Sequence, residues 1–310
     1  MTGHWSLRDA PRQEMRTAVV TGANAGLGYE TALGLATLGA RVVLACRSRD
    51  RGEAAADRIR ALVPGADVGV RLLDLASLAS VRAFAEELAR DLSTLDLLVD
   101  NAGLMAVDRG RTEDGFEVQF GVNHLGHFAL TARLLPLLLA TPGSRVAVMS
   151  SMGHRAGRMD FDDLMGQRRY GRWSAYFQSK LANLLFTAEL QRRLTAAGVG
   201  TIAVAAHPGG SHTDLGSEGS GITNRLASAA VPFVTQSAAA GALPMLRALT
   251  DPTVVGGDFY GPRLLAVGPP VREVPSRRAR DAAAARRLWA VSEELTGVRA
   301  VVPAPGGAAR

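Results

Sequence analysis

Cysteine, lysine and long apolar runs are nearly absent from this 310-residue chain. Its one cysteine, Cys46, cannot form an intrachain disulfide, so a reducing, cytoplasmic location is expected. The longest apolar runs, such as residues 134–140, are too short to span a bilayer, and the first residues lack the apolar centre of a signal peptide. The sequence therefore predicts a cytoplasmic protein without a membrane span.

Basic charge is abundant but scattered. The net charge of +6 and the pI near 10.3 invite a nucleic-acid function, which needs a clustered basic stripe. The densest groups, Arg168, Arg169 and Arg172, and residues 277–280, carry no stacking aromatics in a recognisable binding motif. We interpret them as solvated surface arginines and expect no nucleic-acid partner.

Two histidines superficially resemble metal ligands. His124 and His127 are spaced i, i+3 in a helical pattern, but no acidic or cysteine partner follows at a ligand spacing. His207 precedes a Gly/Ser-rich loop and is interpreted as structural. The sequence therefore predicts no metal.

Short apolar runs alternate with longer helical patterns from Arg16 onward. Runs typical of buried strands lie at 17–21, 41–46, 68–73, 95–100, 145–150 and 201–206. Helical patterns lie between them at 28–38, 50–63, 77–92, 114–139 and 174–197. Because strands recur after helices rather than after tight turns, we expect an α/β fold: a single-domain, Rossmann-type, doubly wound parallel sheet with helices on both faces.

The domain is expected to span residues 15–300. A flexible N-terminal arm (1–14) and a flexible tail (301–310) flank it, and segments at about 152–173 and 210–235 are expected to form substrate loops. After residue 207 the periodicity weakens; further elements are predicted as a helix at 223–250, a strand at 256–261 and a helix at 278–296.

A glycine-rich turn follows the first strand. Gly22, Gly26 and Gly28 permit a tight turn and expose helix N-terminal amides to a pyrophosphate, although the spacing differs from G-x-G-x-x-G. Such a turn can also be purely structural. The candidate cofactor contacts here are Thr21, Gly22, Asn24, Gly26, Leu27 and Gly28.

The residue at the end of the second strand indicates whether the site prefers NAD or NADP. An NAD site would place an acid there for the ribose hydroxyls, whereas this chain has Arg47, a cation suited to a 2′-phosphate. NADP(H) is therefore expected over NAD(H), with an ordinary surface arginine as the alternative. Further candidate contacts at strand ends are Asp74, Leu75, Asn101, Ala102 and Gly103; Asp74 could instead belong to a helix cap.

The only lysine of the chain, Lys180, stands four residues after Tyr176, so both lie on one helix face. A carbonyl reduced by hydride needs a proton, and a nearby ammonium favours the phenolate and lowers a phenol's pKa. Ser151 could hold the substrate oxygen, with Ser150 as a possible substitute. Asn123 could anchor a water near Lys180 or satisfy a kinked backbone.

Taken together, these motifs resemble the short-chain dehydrogenase/reductase superfamily over about residues 15–300. They occur in the family's order: TGANAGLG, LDL, NAG, the helix asparagine, the strand-end serine, YFQSK and HPGG. The resemblance implies that Tyr176 is the acid–base, Lys180 holds the nicotinamide ribose, Ser151 orients the carbonyl and Asn123 completes a relay. It extends the cofactor contacts to Tyr176, Lys180, Pro208, Gly209 and Thr213.

Within that superfamily the chain is most similar to the retinol dehydrogenase-like branch, which includes WW-domain oxidoreductase relatives. The segments GFEVQFGVNHLGHFALT, SKLANLLFTAEL and FYGP carry this likeness, and the 25-residue gap between Ser151 and Tyr176 matches the branch and selects Ser151 over Ser150. Asp100 departs from the family, which usually has the first Asn of NNAG there.

The sequence thus predicts an NADP-dependent oxidoreductase that interconverts a carbonyl and an alcohol on a small-to-medium apolar substrate. A ketoreductase of bacterial secondary metabolism is one alternative, and a catalytically silent NADP-binding regulator is another. The helical patterns at 114–139 and 174–197 carry apolar stripes beyond the needs of sheet packing, and family members usually pair through them. A homodimer or homotetramer is therefore expected.

Overall fold

The fold is built on an eight-stranded sheet with helices on both faces. The structure is a computed structural model, and it describes residues 4–210 and 236–302. The spatial order is β3-β2-β1-β4-β5-β6-β7-β8. The strands are β1 Thr17–Thr21, β2 Arg41–Cys46, β3 Val68–Leu72, β4 Leu97–Asp100, β5 Arg145–Met149, β6 Ile202–Ala206, β7 Phe259–Pro262 and β8 Pro270–Glu273. The first seven strands pair in parallel. Strands β2 and β3 are added on one side of β1 and strands β4 to β7 on the other, so the predicted doubly wound α/β fold is confirmed.

Helices cover both faces of this sheet. On one face lie α1 (Gly26–Thr37), α2 (Arg49–Leu62) and α7 (Ala238–Thr250). On the other lie α3 (Leu78–Asp91), the short α4 (Val118–Phe120), α5 (Gly126–Leu139), α6 (Arg172–Ala197) and α8 (Ala282–Thr296). In β1, Ala18 and Val20 pack toward the first face and Val19 toward the second. This period-2 alternation of fully buried small and β-branched side chains is typical of a parallel strand covered on both sides.

Strand β8 was not predicted from the sequence. It pairs antiparallel with β7 at the edge of the sheet. Its sequence, Pro-Val-Arg-Glu, is short, begins with proline and lacks an apolar run, which suits an edge position but leaves no periodic signal.

Two predicted helices are interrupted in the structure. The pattern at 114–139 divides into α4, a π-helical turn at Gly121–Leu125, and α5. The pattern at 278–296 divides into a 3-10 turn at Arg278–Arg280 and α8, whose first amides are capped by Asp281. The described part of the helix predicted at 223–250 begins at Ala238, and its N-terminus is capped by Ser237.

Residues 4–14, predicted as part of a flexible arm, lie against the domain. Trp5 and Leu7 pack on the core, where the short 3-10 turn at Leu7–Asp9 contacts α7, and the N–H of Gln13 donates to the carbonyl of Leu38 at 2.8 Å. The first expected substrate loop also packs inward, because Leu164 is buried with residues of α6. The second, 210–235, lies outside the described residues except for Gly210.

The C-terminal helix α8 covers the apolar faces of α5 and α6. The ring of Trp289 lies edge-on to Phe128 at 5.3 Å and stacks on Phe186 at 5.9 Å, and Ser292 hydrogen-bonds to His124 at 2.9 Å. The apolar stripes from which a dimer or tetramer was predicted are therefore buried within one chain. The homodimer or homotetramer stays a prediction.

Candidate active site

A cleft opens at the carboxyl ends of the parallel strands, beside the β1–β4 junction, where ligands bind in open α/β sheets. Most of the residues predicted as cofactor contacts line it. These are Thr21, Gly22, Asn24, Gly26, Leu27, Gly28, Arg47, Asp74, Leu75, Asn101, Ala102, Gly103, Tyr176, Lys180 and Pro208.

The glycine-rich turn leads from β1 into α1 beneath this cleft. Gly22 and Gly26 have φ of +66° and +55°, a region that residues with a Cβ rarely adopt. A Cβ at Gly28 would overlap with the carbonyl of Gly22, so the turn requires glycine there too. Ala25 precedes α1 and provides no side-chain cap, so the first amides of the helix are left for an anion.

Two arginines border the cleft at the end of β2. Arg47 was predicted; Arg51, one turn later in α2, was not, although its i+4 spacing from Arg47 is visible in the sequence. In the segment after the neighbouring strand β3, the Asp74 carboxylate accepts the N–H of Ala76 at 2.9 Å. The cap of α3 is Ser77, so Asp74 is not the N-cap residue of this helix.

Thr21 and Asn101 tie the ends of β1 and β4 together. The hydroxyl of Thr21 accepts the N–H groups of Asn101 and Ala102, both at 2.9 Å, and the Asn101 amide donates to the carbonyl of Thr21 at 2.9 Å. Within the described residues the buried Oδ1 of Asn101 has no hydrogen-bond partner. An acceptor is therefore left unsatisfied at the floor of the cleft.

Tyr176 and Lys180 are both buried on the face of α6 that borders the cleft. The Lys180 Nζ donates to the carbonyl of Met149 at 3.3 Å and lies 5.9 Å from the centre of the Tyr176 ring. Burial lowers the pKa of Lys180 to about 8. Burial also raises the pKa of Tyr176, opposed by a hydrogen bond with Ser151. The sequence analysis expected Lys180 to lower the pKa of Tyr176, whereas in the structure burial raises this pKa and the opposing group is the Ser151 hydroxyl.

The two serines after β5 have different environments. The Ser150 hydroxyl is buried and donates to the carbonyl of Lys180 at 2.9 Å, so it is engaged in packing α6 on the sheet. The Ser151 hydroxyl is only partly buried, accepts the N–H of Gly153 at 3.1 Å and interacts with Tyr176. Of the two, Ser151 is the one whose hydroxyl lies beside the phenol.

Asn123 lies in the π-helical turn and its side chain is fully engaged. Its Oδ1 accepts the N–H of Leu104 at 2.7 Å, while its Nδ2 donates to the Leu104 carbonyl and to the Ser179 hydroxyl, both at 2.9 Å. These bonds hold the chain after β4 against α6. A Cβ at Gly103 would lie 3.1 Å from the Asn123 Oδ1 and 3.3 Å from the Lys180 Nζ, so this glycine allows a close approach.

The remaining predicted site residues lie at the end of β6 or outside the described chain. Pro208 borders the cleft, and Gly209 has φ of +67° with its N–H donating to the Nδ1 of His207 at 3.1 Å. Thr213 lies outside the described residues.

His124 and His127 are buried and engaged in hydrogen bonds. His127 contacts the Thr21 hydroxyl and the Asn123 carbonyl, and burial lowers the pKa of both histidines to about 3, so both are neutral near pH 7. Over residues 4–210 and 236–302, no three His, Cys, Asp or Glu side chains cluster as metal ligands. No helix in these ranges has the length and apolar character needed to cross a bilayer.

Asp100 ends β4 as a buried carboxyl. Its Oδ2 accepts the Thr131 hydroxyl at 2.8 Å, and its Oδ1 has no hydrogen-bond partner within the described part of the chain. Burial raises the pKa of Asp100 to about 8, so the folded protein holds a proton that the unfolded chain releases near pH 4. The free energy of unfolding therefore falls as pH rises from about 4 to about 8.

We expect Asp100→Asn to stabilise the protein on the order of 2 kcal/mol at pH 8 and little at pH 4, because the amide needs no proton to stay neutral. Urea unfolding of both proteins between pH 4 and pH 8 measures this. A stability difference that does not change with pH would contradict the buried, protonated carboxyl.

Comparison with known proteins places this arrangement among oxidoreductases. The family model described as short chain dehydrogenase matches residues 16–220. Retinol dehydrogenase 12 of Homo sapiens is 44% identical over 289 residues, covering 92% of this chain and 87% of that protein. Retinol dehydrogenase 13 of Homo sapiens is 42% identical over 292 residues, covering 92% and 86%.

Solved structures share the fold. An uncharacterized protein from Mycobacterium paratuberculosis is 46% identical with a TM-score of 0.82, covering 97% of this chain and all of that one. A short chain dehydrogenase from Escherichia coli CFT073, complexed with NADPH, is 25% identical with a TM-score of 0.62, covering 82% and 98%.

Proposed function

Because the chain belongs to the short-chain dehydrogenase family and is an oxidoreductase acting on CH–OH donors, we propose that it uses NADP(H) to interconvert a carbonyl and an alcohol on a small-to-medium apolar substrate. The observation that carries this proposal is that Tyr176 and Lys180 line the cleft together with the glycine-rich turn, while the Ser151 hydroxyl hydrogen-bonds with the phenol.

The residues of the cleft fit a dinucleotide. The uncapped N-terminus of α1 offers amides to a pyrophosphate, and the unpartnered Oδ1 of Asn101 offers an acceptor on the floor. At the far end, Arg47 and Arg51 provide guanidinium groups for a 2′-phosphate, and no acidic residue from β2 competes for the ribose. These features support NADP(H) over NAD(H).

Each catalytic side chain has a distinct task. In reduction, Tyr176 gives its phenolic proton to the oxygen of the substrate, while the Ser151 hydroxyl orients that oxygen beside the phenol. Lys180 would hold the ribose hydroxyls of a bound dinucleotide, and its ammonium, 5.9 Å from the centre of the Tyr176 ring, keeps positive charge near the phenol as the proton leaves. When bound, the dinucleotide supplies or accepts the hydride. Asn123 keeps the β4–α6 wall in place through Leu104 and Ser179.

Aromatic side chains beside Tyr176 favour an apolar substrate. The ring of Trp173 lies 6.1 Å from Tyr176 and 5.7 Å from Phe177, and all three come from the first turns of α6. The names of the relatives suggest a retinoid-like aldehyde or alcohol as one substrate class. A ketone substrate of the kind reduced by ketoreductases fits the same site chemistry.

The proposal is tested by a reductase screen with NADPH and with NADH across retinoid, aliphatic and aromatic aldehydes and ketones. We expect turnover with at least one apolar carbonyl, faster with NADPH, and none by the matched Tyr176→Phe variant. Tight NADPH binding without turnover on any compound would overturn the proposal and favour a silent, cofactor-binding regulator.

A further inference from the structure

Two buried histidines that do not line the cleft connect its walls to the edge strand β8. His154 and His207 are 0% and 1% exposed, and both pack on the ring of Phe259, at 5.5 Å and 5.2 Å between ring centres. Buried imidazoles have two polar atoms to satisfy, so their partners show what they hold in place.

His154 holds the carbonyl of Ser151. Its Nδ1 lies 2.7 Å from that oxygen, and its Nε2 accepts the N–H of Ser276 at 3.3 Å. Because a carbonyl only accepts and an N–H only donates, the ring must be neutral with its proton on Nδ1. Burial lowers the pKa of His154, which favours this neutral form. The backbone of Ser151 is thereby fastened to the segment that follows β8.

His207 holds the turn that follows β6, with the opposite tautomer. Its Nδ1 accepts the N–H of Gly209 at 3.1 Å, so its proton lies on Nε2 and is donated to Glu273 of β8 at 3.1 Å. Arg155 also reaches Glu273, at 3.4 Å. The pair crosses directly over β7, because a Cβ at Gly261 would overlap with the Nε2 of His207 and with Glu273.

We propose that His154 and His207 are positioning residues, each anchored by the β8 segment. His154 sets the place of the catalytic Ser151, and His207 sets the place of the turn that carries Pro208, which lines the cleft. This inference rests on the proposed function, because placing Ser151 matters only if Ser151 acts on a substrate, and placing Pro208 matters only if the cleft binds the dinucleotide. Neither histidine lines the cleft itself. The inference also gives β8 a role in the chemistry although no β8 residue lines the cleft.

Two substitutions test the roles of His154 and His207 separately. His154→Phe keeps an aromatic ring and the backbone N–H bond to the Ser151 carbonyl but removes the shorter side-chain bond to that oxygen. We therefore expect kcat to fall about tenfold or more while the Kd for NADPH stays within about twofold. His207→Phe removes the acceptor for Gly209, so we expect the Kd for NADPH to rise about tenfold with a smaller change in kcat. Steady-state kinetics and NADPH fluorescence titration measure both.

Conservative variants and a control make the result decisive. His154→Asn and His207→Asn retain a polar atom near the Nδ1 position, so each should recover much of the lost parameter, and they serve if a phenylalanine variant fails to fold. His124→Phe changes a third buried histidine, one that binds Ser292 of α8 and does not line the cleft, and should alter thermal stability without altering kcat or Kd.

A merely structural role predicts that each phenylalanine variant loses kcat and NADPH affinity together, in proportion to its loss of Tm. That result in both variants would overturn the proposal. It is also overturned if the asparagine variants recover nothing. These outcomes are distinct from failure of the proposed function, in which the unmodified protein itself reduces no carbonyl.

Discussion

Tyr176→Phe should abolish carbonyl reduction while leaving NADPH binding intact. The substitution removes only the phenolic oxygen, and general acid catalysis by a positioned side chain contributes about 100- to 10,000-fold, so we expect kcat/KM to fall by a factor in that range. The ring remains between Trp173 and Phe177, so the local packing of α6 is preserved. Single-turnover reduction and NADPH titration of the same preparation measure both quantities.

Tyr170→Phe is the matched control for this prediction. Tyr170 lies just before α6, and its hydroxyl contacts the Val107 carbonyl and the Gln119 amide away from the cleft. Its loss should cost stability but leave kcat within about threefold. Retained turnover in Tyr176→Phe would remove the phenol from the mechanism.

Arg47→Glu should reverse the cofactor preference. A guanidinium bound to a phosphate forms charge-assisted hydrogen bonds, each of which contributes about 1.5–3 kcal/mol, or roughly 10- to 150-fold in affinity. We expect the Kd for NADPH to rise about 100-fold, because the glutamate both removes this bond and repels the phosphate. The Kd for NADH should fall or stay unchanged, since a carboxylate accepts the free ribose hydroxyls.

Arg49→Glu provides the comparison for Arg47. It makes the same charge change two residues away, but Arg49 pairs with Glu53 and does not line the cleft. Its effect on either Kd should stay within about threefold, as expected for a screened surface charge. Equal affinity of the unmodified protein for NADPH and NADH, or equal effects of the two variants, would contradict a 2′-phosphate site at Arg47.

The sequence was sufficient for features that depend on local pattern. The parallel strands, the glycine turn and the Tyr176–Lys180 spacing are all short-range signals, and the structure places the two side chains on one cleft wall. The scarcity of lysine was informative because the only lysine, Lys180, stands four residues after Tyr176, which pointed to the catalytic pair. Arg51 could have been found in the same way, from its spacing to Arg47.

Features that depend on distant contacts were not accessible. The hydrogen bond between Ser276 and His154 joins residues that are 122 positions apart, and no periodic pattern in the sequence predicts it. Strand β8 is too short and too polar for a strand pattern. Whether the apolar stripes of α5 and α6 meet another subunit or the chain's own α8 also depends on tertiary packing.

The packing of Trp289 on α5 and α6 has a consequence for synthesis on the ribosome. Residues 282–296 are made after both helices, so in the nascent chain Phe128 and Phe186 lie uncovered until α8 emerges. Translation proceeds at about 5–20 residues per second, so this apolar surface is exposed for several seconds, in which aggregation or chaperone binding competes with folding. Activity should therefore arise only after residues 282–296 have been translated.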